Sequence, residues 1–423
     1  MKSASVNVTF MSVVLGLAAI ALGCSEASPA PDPVDAGAGA GGHLPYEGVA
    51  FPSRRAPLPA PPGGLALVAN ARSDTLSVVE PAAGDVLVTL PVGRDPVTTD
   101  GPVALTAHAA SGSLYVVLAY QDLHIHLHAS GGAHVQPGYV QRLALADLSV
   151  TGEVEIPEEP RGLAISGDGA RLVTAHFSSP GELAAQMTPD ALDAARGRLS
   201  VIDTGAIETV FSESPASVTA CIGARAVALS EDGKRAFVAC FDEDAIAVVD
   251  LGGDDFTTVR IPVGPNPGLP GLPAYGPSAL TLSPDGSTLL FVNELTREVR
   301  ALDVATSTLS EANVFVAQGT PVGVAANEAG GIYLLTRAPD SVLRLPASLD
   351  GPELDERPLA SEQCETPVAI ALSEAGRVLV ACTAGADAPG RVVAIDSTTL
   401  ALISSDAVGT DPRALVAVPG GAP

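Results

Sequence analysis

Tryptophan is absent from this chain of 423 residues, and aromatic residues make up only 4% of it. Any core must therefore pack on Val, Leu, Ile and Ala, without large aromatic anchors. Basic residues are scarce as well: 22 Lys and Arg stand against 48 Asp and Glu, a formal charge of −26. That balance excludes the electrostatic footprint of a nucleic-acid-binding protein and argues against charge-driven adhesion to anionic lipid. Several catalytic signatures are missing. There is no GxSxG, no phosphate-cradling glycine loop and no HExxH, which removes the motif evidence for hydrolase elbows, P-loops and zinc proteases. There is no CxxC and no CxxCH, so neither a zinc ribbon nor covalently held haem is supported. A long apolar run is also lacking. The stretch from Phe10 to Leu22 is too short to span a membrane stably.

What the chain does contain is a repeated phrase. Ala224-Arg-Ala-Val-Ala-Leu-Ser-Glu-Asp-Gly233 returns as Pro277-Ser-Ala-Leu-Thr-Leu-Ser-Pro-Asp-Gly286 and as Pro367-Val-Ala-Ile-Ala-Leu-Ser-Glu-Ala-Gly376. Weaker copies begin at Pro102, Pro160 and Pro321, and a truncated one at Pro412. Repeats at this spacing indicate a solenoid, a propeller or an array. Each unit reads as four strands. In the clearest copy, 224–230 alternates small and apolar residues, Glu231–Lys234 turns the chain, and Arg235–Phe241 is a second apolar strand. Ala245–Leu251 and Phe256–Val263 follow after short polar loops. Four antiparallel strands joined by short turns form the blade of a β-propeller.

The last copy leaves room for one strand, Arg413–Val418, before the chain ends. At the other end, Leu65–Ala69, Thr75–Val79 and Asp85–Val92 read as three strands with no first strand before them. The C-terminal strand should complete the N-terminal blade. The expectation is an all-β, seven-bladed propeller over residues 64–420, without open sheet edges at the join.

Leu67-Val-Ala-Asn70, Asp74-Thr-Leu-Ser-Val-Val79 and Asp85-Val-Leu-Val-Thr-Leu-Pro-Val-Gly93 resemble the YVTN-type propeller repeat, and Arg196–Asp203, Ala247–Asp250 and Arg260–Gly264 follow the same pattern. The resemblance implies the seven-bladed fold of a superfamily that holds surface-layer proteins, the propellers of quinoprotein and cytochrome cd1 enzymes, and bacterial lactonases. The matching residues are strand and turn residues, so the resemblance brings no active site with it. Relatives that transfer electrons carry a haem-binding domain; this chain has no such domain, and no haem is expected.

Residues 1–24 read as a secretion signal. Its end, Ala21-Leu-Gly-Cys24, resembles a bacterial lipobox, with Ala21 where that pattern prefers Leu. The resemblance implies lipidation of Cys24, and Ser25 after it favours the outer membrane, on its periplasmic or cell-surface side. Residues 25–63 are rich in Pro, Ala and Gly and read as a tether and extended lead-in. Four cysteines remain. Cys221 and Cys364 each lie three residues before a copy of the phrase, and Cys240 and Cys382 each end the second strand of the same unit. In an antiparallel pair the start of one strand faces the end of the next, so the expected bonds are Cys221–Cys240 and Cys364–Cys382.

In a propeller the loops after the second and fourth strands emerge at one end, and here they include the longest: 121–138, 178–197 and 264–276. Binding residues favour loops held by a rigid scaffold. On that face, His124, His126 and His128 share one side of a strand, and a Gly-Gly turn returns His134 toward them. Such imidazoles suit Zn²⁺, Cu²⁺ or Ni²⁺, although the polar face of a projecting hairpin has the same pattern. His176 ends the second strand of the next blade, and His108 falls at the opposite end. Asp242, Glu243 and Asp244 form an acidic loop that suits Ca²⁺ or plain solvation. Asn70, Arg72 and Asp74, and Asn293, Glu294 and Arg297, occupy the equivalent loops of two other blades. No certain cofactor and no catalytic motif emerges. The favoured reading is an exported, monomeric binding module for a protein, glycan or small ligand, with its membrane contact confined to the lipid anchor. A metal-binding propeller and a lactonase- or lyase-like enzyme are the alternatives.

Overall fold

The computed structural model describes residues 55–94, 101–119, 137–207, 215–253, 255–385 and 387–420. They form seven four-stranded antiparallel sheets. Each innermost strand lies against the innermost strands of its two neighbours, so the seven enclose a central axis. Numbered along the chain, blade 1 is the composite one. Leu65–Asn70, Thr75–Glu80 and Asp85–Pro91 are its outer three strands, and Pro412–Val418 is its innermost. The closing pair runs from Leu65 opposite Val418 to Asn70 opposite Pro412. The remaining innermost strands are Pro102–His108, Pro160–Ile165, Ala224–Leu229, Pro277–Leu282, Thr320–Ala326 and Thr366–Ser373. The seven copies of the phrase thus open the seven innermost strands.

The second half of the phrase builds the turn that follows. Ser166, Ser230 and Ser283 donate to Asp168, Asp232 and Asp285, at 2.6, 2.7 and 2.5 Å. Each Asp also accepts a backbone N–H two residues on, and each Ser hydroxyl accepts the N–H that opens the second strand. Gly169, Gly233 and Gly286 take φ of +71°, +65° and +68° to complete the turn. These hydrogen bonds, the serine's first, hold the three carboxyls below the ordinary Asp value. They favour the folded chain above the unfolded pKa of about 3.9, and that contribution is lost as pH falls through the lower folded values.

Packing is aliphatic, as the composition requires. The middle strands are buried on both faces, and the space between blades 3 and 4 is filled by Val173, Leu199, Val201, Val227, Val238 and Val249, among others. Arginines tie blade to blade at the turns after the third strands. Arg142 donates to Thr204 O of blade 3, Arg171 to Leu251 O of blade 4, and Arg235 to Val304 O of blade 5. Arg344 reaches Thr398 O of blade 7, and Arg377 reaches Ala82 O of blade 1 across the closing seam. Between blades 1 and 2 the lead-in serves instead. Arg55 donates to Pro91 O, and the Leu58 N–H to Ala146 O.

Both expected disulfides are present, Cys221–Cys240 and Cys364–Cys382. Their enclosed loops, with separations of 19 and 18 residues, each correspond to about 3 kcal/mol on the chain-entropy scale. Among the described residues no helix is long and apolar enough to cross a membrane. Cys24, the signal and the tether lie outside the described residues. Truncation after Asp411 is expected to abolish cooperative unfolding, because it strips blade 1 of its innermost strand. Replacing either cysteine pair with Ser should instead lower stability by about 3 kcal/mol and leave the transition cooperative. Denaturant titration followed by circular dichroism distinguishes the two outcomes.

Candidate functional site

The loops after the second and fourth strands share one end of the ring, and there the innermost strands repeat a single irregularity. Every one is bulged at the second residue of the repeated phrase: the register skips Val103, Arg161, Arg225, Ser278, Val322, Val368 and Arg413. A bulge re-aims the side chain it carries. These residues form a ring at the channel mouth. Opposite the residue before each bulge lies the end of the second strand: Asn70, Leu118, His176, Cys240, Asn293, Thr336 and Cys382. The chain then continues into Ala71, Ala119, Phe177, Phe241, Glu294, Arg337 and Thr383, a second ring around the first.

The strand-end position is used for bracing within the blade. Asn70 donates to Ser77 Oγ and Thr75 Oγ1 on the neighbouring strand, at 3.0 and 3.1 Å. His176, 3% exposed, donates from Nδ1 to Glu158 O at 3.0 Å, so its Nε2 accepts from Ser200 Oγ at 2.9 Å. Burial, the main cause, pushes this imidazole below its ordinary pKa. Asn293 donates to Glu298 at 3.3 Å. In blades 4 and 7 the same position carries a disulfide.

Asp74, Asp244 and Arg297 end their loops in the left-handed region, with φ of 48°, 48° and 59°. Their carbonyls accept from Val92, Val263 and Ala317, each the residue just after an outermost strand. Asp244 does more. One carboxylate oxygen accepts from the N–H groups of Gly268 and Ala274, the other from those of Tyr275 and Gly276, all between 2.6 and 2.9 Å. A single buried side chain therefore shapes the whole 264–276 loop. Glu243 beside it accepts from Arg196 Nε at 3.1 Å and from the Ile222 N–H at 3.0 Å. Asp242 contributes its carbonyl to the Gly271 N–H. The acidic loop is thus committed to loop-holding, and among the described residues no cluster of three His, Cys, Asp or Glu is placed to hold a metal ion. His124, His126, His128 and His134 lie outside the described residues. His108 sits at the opposite end, bonded to Ser111 and Gly167.

The two rings give the mouth its chemistry, and it is uneven. Blades 2 and 7 contribute Val103, Ala119, Val368 and Thr383. Blades 3 to 6 contribute Arg161 with Phe177, Arg225 with Phe241, Ser278 with Glu294, and Val322 with Arg337; Arg413 of blade 1 adds a fourth guanidinium. Arg225 stacks 3.4 Å above the Phe241 ring and lies 3.4 Å from the Glu294 carboxylate. Arg161 pairs with Glu159 and Arg413 with Asp411, at 2.8 and 2.9 Å. Arg337 donates from Nε to Pro367 O, and among the described residues no carboxylate lies within 4.0 Å of it. Burial pushes the Arg225 guanidinium below its ordinary value; Glu294 and Asp242 oppose this, and the charge of Arg161 adds to it. Arg337 is lowered by burial in the same way, opposed by Glu294 and Asp340 and reinforced by Arg413. The four guanidiniums therefore share one end of the ring, Arg161 with Arg225 and Arg337 with Arg413, and Glu294 acts on both Arg225 and Arg337. The sequence reading passed over all four. For Arg161, Arg225 and Arg413 the signal was the second position of the repeated phrase, apolar or Ser in four copies and Arg in three; Arg337 lies outside the phrase.

No family model matches the chain, and no curated protein sequence does. Solved structures do. A periplasmic gluconolactonase from Pseudomonas aeruginosa superposes with a TM-score of 0.61 at 18% identity, over 85% of this chain and 99% of that one. A putative 6-phosphogluconolactonase from Bacteroides fragilis gives 0.59 at 13%, over 84% and 97%. Apo AztD from Citrobacter koseri gives 0.50 at 14%, over 85% and 98%. The chain shares its propeller fold with these structures. At these identities the likeness is one of fold, and the mouth residues must be read from this chain alone.

Replacing Asp244 with Ala leaves four N–H groups of one loop without their acceptor. The expected result is a loss of about 3 kcal/mol or more together with rapid proteolytic cleavage within 264–276. Thermal denaturation and limited proteolysis against the parent chain check both effects.

Proposed function

We propose that this protein is a ligand-binding propeller that holds a small carboxylate- or phosphate-bearing molecule at its channel mouth, on the exported side of the membrane where its disulfides form. One observation carries the reading: strand register sets Arg161, Arg225, Arg337 and Arg413 at the same end of the ring in a chain of net charge −26. Glu159, Glu294 and Asp411 offset part of the arginines' charge, and the guanidinium surface left open matches carboxylate and phosphate geometry. At the other end of the ring Arg171 and Arg377 brace blades through carbonyls, and Arg337 does the same at the mouth through its Nε. Arg161 and Arg413 keep nearly half of their side-chain surface open, 46% each. The partner is thus a soluble anion small enough to enter the mouth.

A second reading rests on Glu294. Its carboxylate stands at the same opening beside Arg225, where it can act as general base toward a water attacking a lactone carbonyl. The ring-opened product is a carboxylate, the group the arginines suit. The gluconolactonase among the structurally similar proteins accords with this chemistry.

Titration of the full chain with D-gluconate and with inorganic phosphate is expected to show saturable, salt-sensitive binding. Arg225→Gln or Arg337→Gln should weaken it about tenfold or more; unchanged affinity in both variants would overturn the reading. For the catalytic reading, pH-stat assay should show opening of glucono-δ-lactone above background and its loss in Glu294→Gln. A rate equal to background removes that reading and leaves the binding one standing.

A further inference from the structure

The cationic sector of the mouth is walled by exposed leucines. Leu183, Leu269, Leu272 and Leu295 are exposed by 65, 61, 45 and 51%, and all four lie on loops of the mouth end over blades 3 to 5. Most other exposed large apolar residues lie on outermost strands, at the sheet edges. The four are tied to Arg225 through a set of neighbouring residues. Leu295 directly follows Glu294, the partner of Arg225. A Cβ placed on Gly276 would meet both Leu295 Cγ, at 3.0 Å, and the Phe241 ring on which Arg225 stacks. Leu269 and Leu272 pair across the tip of the 264–276 loop, and the Gly271 N–H between them is held by Asp242 O. The other side of that tip rests on Gly181 and Ala184, beside Leu183.

This wall is rigid, because Asp244 fixes the loop from beneath with four hydrogen bonds. Apolar side chains presented to water on a fixed loop cost solvation energy that the fold does not recover. Beside a group of guanidiniums they form the second half of an amphipathic site. We infer that the ligand is an amphipathic monoanion: a carboxylate that reaches the arginines, joined to an apolar acyl chain or ring that lies against Leu269, Leu272 and Leu295. This inference rests on the anion-binding reading of the mouth and adds the chemistry of the ligand's other end.

Acetate, hexanoate and decanoate, titrated separately into the full chain at constant ionic strength, test it. A fully buried methylene is worth about a fourfold gain in affinity, so binding should tighten severalfold with each lengthening. The double variant Leu269→Ser/Leu272→Ser should flatten that chain-length dependence while leaving phosphate affinity unchanged. Arg225→Gln should weaken all three carboxylates alike. Equal affinity for acetate and decanoate, or a chain-length dependence untouched in the double variant, would overturn the inference and leave the anion site intact. Failure of gluconate, phosphate and every carboxylate to bind would overturn both.

Discussion

Everything in this molecule depends on seven backbone residues returning to the start of the chain. The pairing of Pro412–Val418 with Leu65–Asn70 converts a row of blades into a ring. Without it, blade 1 has no innermost strand and blade 7 has no neighbour on one side. The pairing also sets the geometry of the mouth, since Arg413 reaches the opening only because its strand belongs to blade 1. Closure and site are thus properties of the same strand.

The ring spends its few cations in two ways. All but two of the 22 basic residues are arginines, and at the turn end of the blades they donate into carbonyls of the next blade. There a guanidinium acts as a multi-donor bracket, a task for which a lysine's single ammonium is poorly shaped. At the mouth end the same residue type is left partly in solvent, paired with near neighbours in sequence or stacked on a phenylalanine. The acidic residues divide similarly. Asp168, Asp232, Asp285 and Asp244 organise turns and loops, and Glu294 faces the opening. A large net negative charge thus coexists with a local concentration of positive charge, a contrast that a whole-chain count hides.

The fold was largely legible because its determinants are local and repeated. The Ser-x-Asp-Gly turns, the alternation of the innermost strands and the truncated copy at Pro412 each state part of the architecture, and antiparallel register alone brought Cys221 to Cys240 and Cys364 to Cys382. The site was much less legible. Asn70, His176 and Asn293 attract attention as polar residues at strand ends, but burial turns them inward to brace their own blades. Asp242 and Asp244 suggest a cation loop, while their hydrogen bonds run to the backbone of a neighbouring segment more than twenty residues away. Arg161, Arg225 and Arg413 sit inside the repeated phrase, where repetition itself directs attention to structure. Only the bulge shared by all seven strands shows that the second position is the one turned outward. Arg337 follows no repeated motif, and its place at the mouth emerges from register.

The five inter-blade arginines at the turn end run in one direction, each gripping the succeeding blade, and at the seam between blades 1 and 2 the lead-in adds its own ties through Arg55 and Leu58. This gives the ring a mechanical polarity. Tension applied to the chain ahead of Arg55 enters at that seam, on two hydrogen bonds loaded one after the other, as in peeling. A pull from the N-terminal side therefore meets the two lead-in hydrogen bonds before it reaches the closing pair of Leu65–Asn70 with Pro412–Val418.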